Sequence, residues 1–137
     1  MIRFMTVDDY HDVYQLWDEA LEVSINEKDD TYKNIEKFIQ RNPNLCIVAV
    51  EDGNIVGSLL AGYDGRRGHI YHTVVNSEFR SKGIGNQLVD KIIQQFSILD
   101  VNEVDLIVME NNFIGNSFWE RRGFLQNLLL NYRRKVI

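Results

Sequence analysis

Apolar residues change their period several times along this chain, and each change marks an element. Residues 2–5, apolar apart from Arg3, predict a short opening strand. From residue 7 to about 23, Val13, Leu16, Trp17 and Ala20 fall on one helical face, with Leu21 beside them. Thr6 followed by Asp9 reads as an N-cap with an acidic third position. Residues 24–31 are polar and acidic and read as a loop. A second helix over 31–40 groups Ile35, Phe38 and Ile39, and Pro43 blocks its continuation.

The period then shortens. Residues 45–50 are β-branched and apolar, Asp52-Gly53-Asn54 is a turn signal, and 55–61 is a second strand, so the pair reads as a hairpin. A second turn region spans 62–68, and 69–75 is a strand rich in Tyr, Thr and Val. The strongest helix is 84–99, where Ile84, Leu88, Ile92 and Phe96 recur every fourth residue beside Val89 and Ile93. Residues 104–108 are apolar except for Asp105, which predicts a strand buried on both faces. A short helix over 112–122 has Gly123 as its C-cap, and 124–135 predicts one or two final strands. The order β-α-α-β-β-β-α-β-α-β-β predicts an α/β fold, a mixed central sheet flanked by helices on both faces.

At 137 residues the expectation is a single domain spanning 1–137. A hydrophobic fraction of 45% and a charged fraction of 26% are ordinary for a globular chain and exclude disorder as the main state. Cys46 is the only cysteine, which excludes a disulfide framework and a zinc ribbon; at the start of a strand it reads as a core residue. No apolar run approaches the ~18 residues a bilayer requires. Met1 leads into a short run whose one basic residue is Arg3 and then Asp8 and Asp9, without the cleavage-type small residues of a secretory signal, so the expected compartment is the cytoplasm. A net charge of −5 argues against a nucleic-acid partner held by phosphate contacts. Neither a membrane partner nor a bound metal is expected.

Candidate chemistry concentrates in Arg80-Ser81-Lys82-Gly83-Ile84-Gly85, between a predicted strand and the best predicted helix. Two glycines let the backbone turn tightly and approach a ligand. The first amides of a helix have no internal acceptor, and the helix dipole favours an anion there. Arg80 and Lys82 add full charges, so the stretch reads as a phosphate-binding turn. A nucleotide-triphosphate loop needs Lys and Ser/Thr after its last Gly, whereas Asn86 and Gln87 follow here. A dinucleotide fingerprint needs a third Gly where Leu88 stands. The same six residues also fit a strand–helix turn in which Gly is only punctuation.

The segment Val75-Asn76-Ser77-Glu78-Phe79-Arg80-Ser81-Lys82-Gly83-Ile84-Gly85 resembles the acetyl-CoA motif of the GNAT family of N-acetyltransferases, which runs Val, x, Pro, Glu, aromatic, Arg, Gly, Lys/Arg, Gly, Ile, Gly/Ala. Asn112 through Phe124 is similar to the family's second block, Asn…Ala…Tyr-Glu-x-x-Gly-Phe. The element order fits from end to end. Residues 62–68 also resemble the hairpin of a small stand-alone bacterial subgroup. Ser77 stands where Pro is usual and Trp119 where Tyr is frequent. That Tyr is the usual candidate to protonate the departing thiolate. An indole N–H donates a hydrogen bond but is not a useful acid. Trp119 therefore reads either as a group packed on the cofactor or as a core aromatic.

The resemblance implies direct acyl transfer from acetyl-CoA, as co-substrate, to an amine. It implies that the Val75 amide faces the thioester carbonyl, with Thr73 and Val74 beside it on the strand. It further implies that Arg80, Ser81, Lys82, Gly83, Ile84, Gly85 and Asn86 surround the pyrophosphate and that Asn112 meets the pantetheine arm. Tyr71 matches a position where some members carry a glutamate base, and Glu110 is a second candidate base. Strict alternation places Val75, Thr73 and Tyr71 on one face and Val74 and His72 on the other. His69 and His72 are further candidates, because histidine is the side chain suited to proton transfer at neutral pH, although a strand histidine is commonly just a satisfied polar residue.

The acceptor expected is a small-molecule or peptide amine. Glu22, Glu27, Asp29 and Asp30 suit a cationic one, and equally read as ordinary solvated charge. Arg66 and Arg67 on the hairpin tip suit an acidic partner or the cofactor. The reading is an acyl-CoA-dependent N-acyltransferase, monomer or homodimer. The alternatives are a catalytically degraded acyl-CoA-binding regulatory module, and a protein whose glycines are purely structural.

Overall fold

The computed structural model describes residues 1–21 and 23–137. They form two compact units, Met1–Ile107 and Val108–Ile137. In the first unit, β1 (Ile2–Phe4) and a 3-10 turn (Val7–Asp9) lead to α1 (Tyr10–Glu19) and α2 (Tyr32–Arg41). Strands β2 (Cys46–Glu51), β3 (Asn54–Tyr63) and β4 (Gly68–Val75) follow, then a 3-10 turn (Ser77–Phe79), α3 (Ile84–Ile98) and β5 (Val104–Leu106). The second unit holds α4 (Phe113–Arg121).

The sheet order is sequential, β1-β2-β3-β4-β5. The first three pairings are antiparallel and the last is parallel, so the sheet is mixed as expected. Asp52 and Gly53 both take positive φ (50° and 78°), as a two-residue hairpin turn of the primed type requires between Glu51 and Asn54. At the next turn, Asp64 Oδ1 accepts from the amides of Arg66 and Arg67 at 2.8 Å each.

Helices cover both faces. On one, Val13, Leu16 and Trp17 of α1 and Ile35 of α2 pack with Val48, Leu60 and Val74. On the other, Leu88 and Phe96 of α3 lie against Gly57 and Gly68. A Cβ on Gly68 would sit 2.5 Å from the Phe96 ring, so this glycine permits the close approach of helix and strand. Cys46 is buried, and burial pushes its thiol up to about 12, an inert core residue.

Three expectations change. The first helix ends at Glu19 rather than about 23, because Ala20 turns to extended backbone. Val23 and Ile25 still reach the same core, but from non-helical chain. Residues 104–108 are not buried on both faces: Val104 and Leu106 are half-buried while Asp105 and Ile107 are exposed, as befits the last strand in the sheet order. Finally, no strand follows α4 among the described residues. Asn127 breaks that run with a local turn, its side-chain oxygen taking the Leu129 amide at 3.0 Å and its carbonyl the Leu130 amide at 3.3 Å. Leu128 and Leu129 are consequently exposed, since β-propensity without a neighbouring strand makes no ladder.

Candidate active site

Strand β4 is irregular at its centre. Ser58 pairs with Val74 and Leu60 with Tyr71, so His72 and Thr73 together oppose Leu59 alone. This is a β-bulge, and His72 takes φ 29° to make it. The bulge breaks the alternation expected from the sequence. Tyr71 meets Phe38 of α2 edge-on at 5.8 Å, and His72 meets Trp17 of α1 edge-on at 4.8 Å. Neighbours that strict alternation would separate therefore share the α1–α2 face, together with Val74. Thr73 keeps its side chain local, its hydroxyl donating to the Tyr71 carbonyl at 3.2 Å.

The same strand parts from β5. Their pairing covers Gly68–Val104, His69–Asp105 and Ile70–Leu106, and the register goes no further. Beyond it, Asn76 N–H donates to the Val56 carbonyl of β3 at 2.7 Å. Successive amides in an extended strand point to opposite edges. The Val75 N–H, one residue back, thus points to the edge that β5 has left. Val74 turns its amide and carbonyl toward β3 and its side chain into the core, where it is 3% exposed.

After Val75 the chain makes one 3-10 turn, with Asn76 Oδ1 accepting from Glu78 N–H at 2.9 Å. Arg80 Nε donates to the Val75 carbonyl at 3.2 Å. Ser81 and Gly83 both lie in the left-handed region, φ 64° and 80°. Left-handed residues alternating along such a turn bring successive amides to one side, a nest for an anion. Gly83 is the N-cap of α3 and offers no side-chain cap to the amides of Ile84, Gly85 and Asn86. Gln87 N–H is the first to bond back, to the Gly83 carbonyl at 3.0 Å. Lys82 Nζ stands 5.1 Å from the Phe79 ring centre, which keeps its charge beside the turn. These residues fit a pyrophosphate: free helix amides, two left-handed positions and two cations.

A cleft of about 240 Å³ lies between the end of α1 with the chain just after it (Leu16, Glu19, Ala20, Leu21) and Val75, Asn76, Ser77 and Arg80. The α1 wall was not legible in the sequence, because those residues read only as the continuation of a core helix. The predicted acidic loop divides. Glu22 lies outside the described residues. Glu27 and Asp29 are exposed, whereas Asp30 is buried, its carboxylate accepting from Asn26 N–H at 2.9 Å. Arg67 pairs with Glu103 at 3.1 Å, an exposed bridge at the start of β5. His69, opposite Asp105, has its pKa lowered by burial, with the Asp105 charge pulling the other way.

Glu110, Asn112 and Trp119 belong to the second unit. Asn112 is the N-cap of α4, its Oδ1 accepting from Gly115 N–H at 2.9 Å. A Cβ on Gly115 would fall 2.4 Å from the Asn112 amide, so the cap depends on that glycine. Trp119 is 8% exposed and packs edge-on against Phe118 and Phe124 at 5.1 and 5.0 Å.

Comparison with known proteins agrees with this architecture. Residues 10–124 match the model of the acetyltransferase (GNAT) family. An acetyltransferase of Pectobacterium atrosepticum is 33% identical over 111 residues, 81% of this chain and 77% of that protein. One from Photorhabdus laumondii is 34% identical over 111 residues, 81% and 76%. Among solved structures, Ard1 from Thermoplasma volcanium superposes with a TM-score of 0.81 at 23% identity, covering 91% of this chain and 82% of that one. The PaiA N-acetyltransferase of Thermoplasma acidophilum, solved with coenzyme A, superposes with a TM-score of 0.78 at 16% identity, covering 89% and 87%. The chain belongs to the GNAT acetyltransferase family, and so to the acyl-CoA-dependent N-acyltransferases.

Proposed function

We propose that this protein moves an acetyl group from acetyl-CoA directly to a primary amine of a small molecule or peptide. The whole chain, 1–137, acts as one N-acetyltransferase domain in the cytoplasm, as a monomer or homodimer. The reading rests chiefly on one juxtaposition: a β4 edge opened beside β5, continuing within a few residues into the uncapped α3 terminus.

The proposed roles are as follows. The amides of Ser81 through Asn86, with Arg80 and Lys82, hold the pyrophosphate. The Val75 N–H receives the thioester carbonyl oxygen and stabilises the charge that develops on it. Thr73 shares that edge, while Val74 anchors the strand in the core. The amine lone pair forms the C–N bond as the C–S bond breaks, and the electron pair leaves with sulfur. A free thiol ionises near 8.5, so the thiolate leaves without a dedicated acid. By the family resemblance, Asn112 meets the pantetheine arm and Trp119 packs on the cofactor. Tyr71 and Glu110 are the groups proposed for the acceptor's proton, Tyr71 with the handicap of a phenol that ordinarily titrates near 10.

Thermal unfolding with and without acetyl-CoA, with ATP and NAD as controls, is the first test. Ligand at about 100 times its dissociation constant stabilises by about 2.7 kcal/mol. A rise specific to acetyl-CoA supports the reading, and no rise at millimolar acetyl-CoA overturns it. Thiol release across an amine panel then tests transfer. Tight binding without acceptor-dependent release points instead to a regulatory acyl-CoA-binding module, and a Trp119→Tyr variant that gained release would mark that module as a degraded enzyme.

A further inference from the structure

A partly buried acid–imidazole pair, Asp30 and His72, stands at the bulge. His72 Nε2 lies 2.9 Å from Asp30 Oδ2, linking residues 42 apart in sequence. Asp30 is 7% exposed, and its backbone carbonyl accepts from the Tyr10 hydroxyl at 2.6 Å. Trp17, which closes on the His72 ring from α1, is itself held by an Nε1–H bond to buried Ser58 Oγ at 3.0 Å. His72 keeps 21% of its side chain exposed.

A carboxylate can only accept hydrogen bonds, so the contact assigns the hydrogen to Nε2. A neutral imidazole then carries its lone pair on Nδ1. An amide at this position would clasp Asp30 equally well, and the imidazole adds a proton acceptor. The left-handed φ of His72 is strain of the kind that collects at functional positions. Strand rise places His72 within about 10 Å of Val75, along the stretch of β4 where pairing with β5 has ended.

We propose that His72, oriented by Asp30, takes the proton from the acceptor's ammonium in place of Tyr71 and Glu110, directly or through ordered water. The inference rests on the acetyltransferase reading. The first proton passes from the ammonium nitrogen to His72 Nδ1, which frees the lone pair that forms the C–N bond, and later leaves for solvent; the second N–H proton, lost as the amide forms, goes to the departing thiolate. The groups facing His72 are Asp30 from the 23–31 segment and Trp17 from α1, with the Tyr10 hydroxyl behind Asp30. Exposed Glu27 and Asp29 on the same segment favour a cationic acceptor.

Two simple amines serve as probes under saturating acetyl-CoA: ethylamine, protonated at neutral pH, and 2,2,2-trifluoroethylamine, already neutral there. His72→Gln should lower kcat/KM for ethylamine by about 100-fold or more and remove from its pH profile the limb on which the base titrates. The trifluoroethylamine rate should be nearly unchanged. Asp30→Asn should show the same selectivity more weakly. Equal loss with both probes, or no loss with either, overturns the assignment and leaves a structural clasp. Failure of the wild type to acetylate either probe, despite binding acetyl-CoA, counts against the enzyme reading itself. Imidazole nitrogen NMR gives a readout independent of turnover. The Nε2–H tautomer is expected for neutral His72, and the Nδ1–H tautomer overturns the proposal.

Discussion

Arg80 Nε donates to the Val75 carbonyl at 3.2 Å, tying the turn that precedes α3 to the last residue of β4. The carbonyl it holds and the Val75 amide point to the same open edge. The group proposed to polarise the thioester and the turn proposed to hold the pyrophosphate are thereby kept at a set spacing, which favours transfer by positioning.

Gly83 tests the turn against a matched control. It has φ 80°, with nothing within 4 Å of where a Cβ would stand, and Gly53 in the β2–β3 hairpin has φ 78° with the same open space. Gly83→Val and Gly53→Val should therefore both lose about 1–2 kcal/mol to backbone strain. Only Gly83→Val should also lose the thermal stabilisation by acetyl-CoA. Equal retention in both variants would mean that the turn does not hold the coenzyme.

Gly68 tests the packing of α3 on the sheet. Gly68→Ala drives a methyl into the Phe96 ring and should destabilise by about 1–3 kcal/mol. Phe96→Leu in the same chain should recover part of that loss. Urea denaturation of the two single variants and the double variant measures both effects.

Ser58 and Trp17 form a buried donor–acceptor pair at 3.0 Å. Ser58→Ala leaves the indole N–H without that partner and should cost about 1–3 kcal/mol. Adding Trp17→Phe should cost less than the sum of the two single changes, because the orphaned donor is then gone. A double-mutant cycle on equilibrium unfolding decides it.

His69 has a pKa lowered in the folded state by burial, partly offset by Asp105. The unfolded chain then takes up the proton first as pH falls. Its stabilising contribution is full above the ordinary value of about 6.5 and is lost as pH drops through the folded value. Denaturation between pH 7.5 and 5 should show stability falling with pH. His69→Gln should flatten that slope, and Asp105→Asn should steepen it. A slope unchanged in His69→Gln would assign it to another group.

Much of the fold was legible because its signals are local. The Asp52-Gly53 turn, the four-residue recurrence from Ile84 to Phe96 and the Asn112 cap each act within a few residues. The turn proposed to hold the pyrophosphate was legible as a turn for the same reason, since its glycines, its cations and the helix it opens are contiguous. The opposite holds for the rest of the site. A bulge is a mismatch between two strands, and neither β3 nor β4 records it alone. Strict alternation consequently misplaced Tyr71 relative to His72. Asp30 read as one more solvated acid, because its partner lies 42 residues away.

Neighbouring residues alone carry the order of elements through α4, the hairpin turns, the glycine turn ahead of α3 and the family, since periodicity, caps and contiguous motifs act locally. Contacts between distant segments set the rest: which way the Val75 amide points, where β4 leaves β5, that Asp30 is buried against His72, and that the run after α4 forms no strand. Each of these depends on pairing or burial between segments distant along the chain, and the free energy that selects among the alternatives exists only once those segments meet.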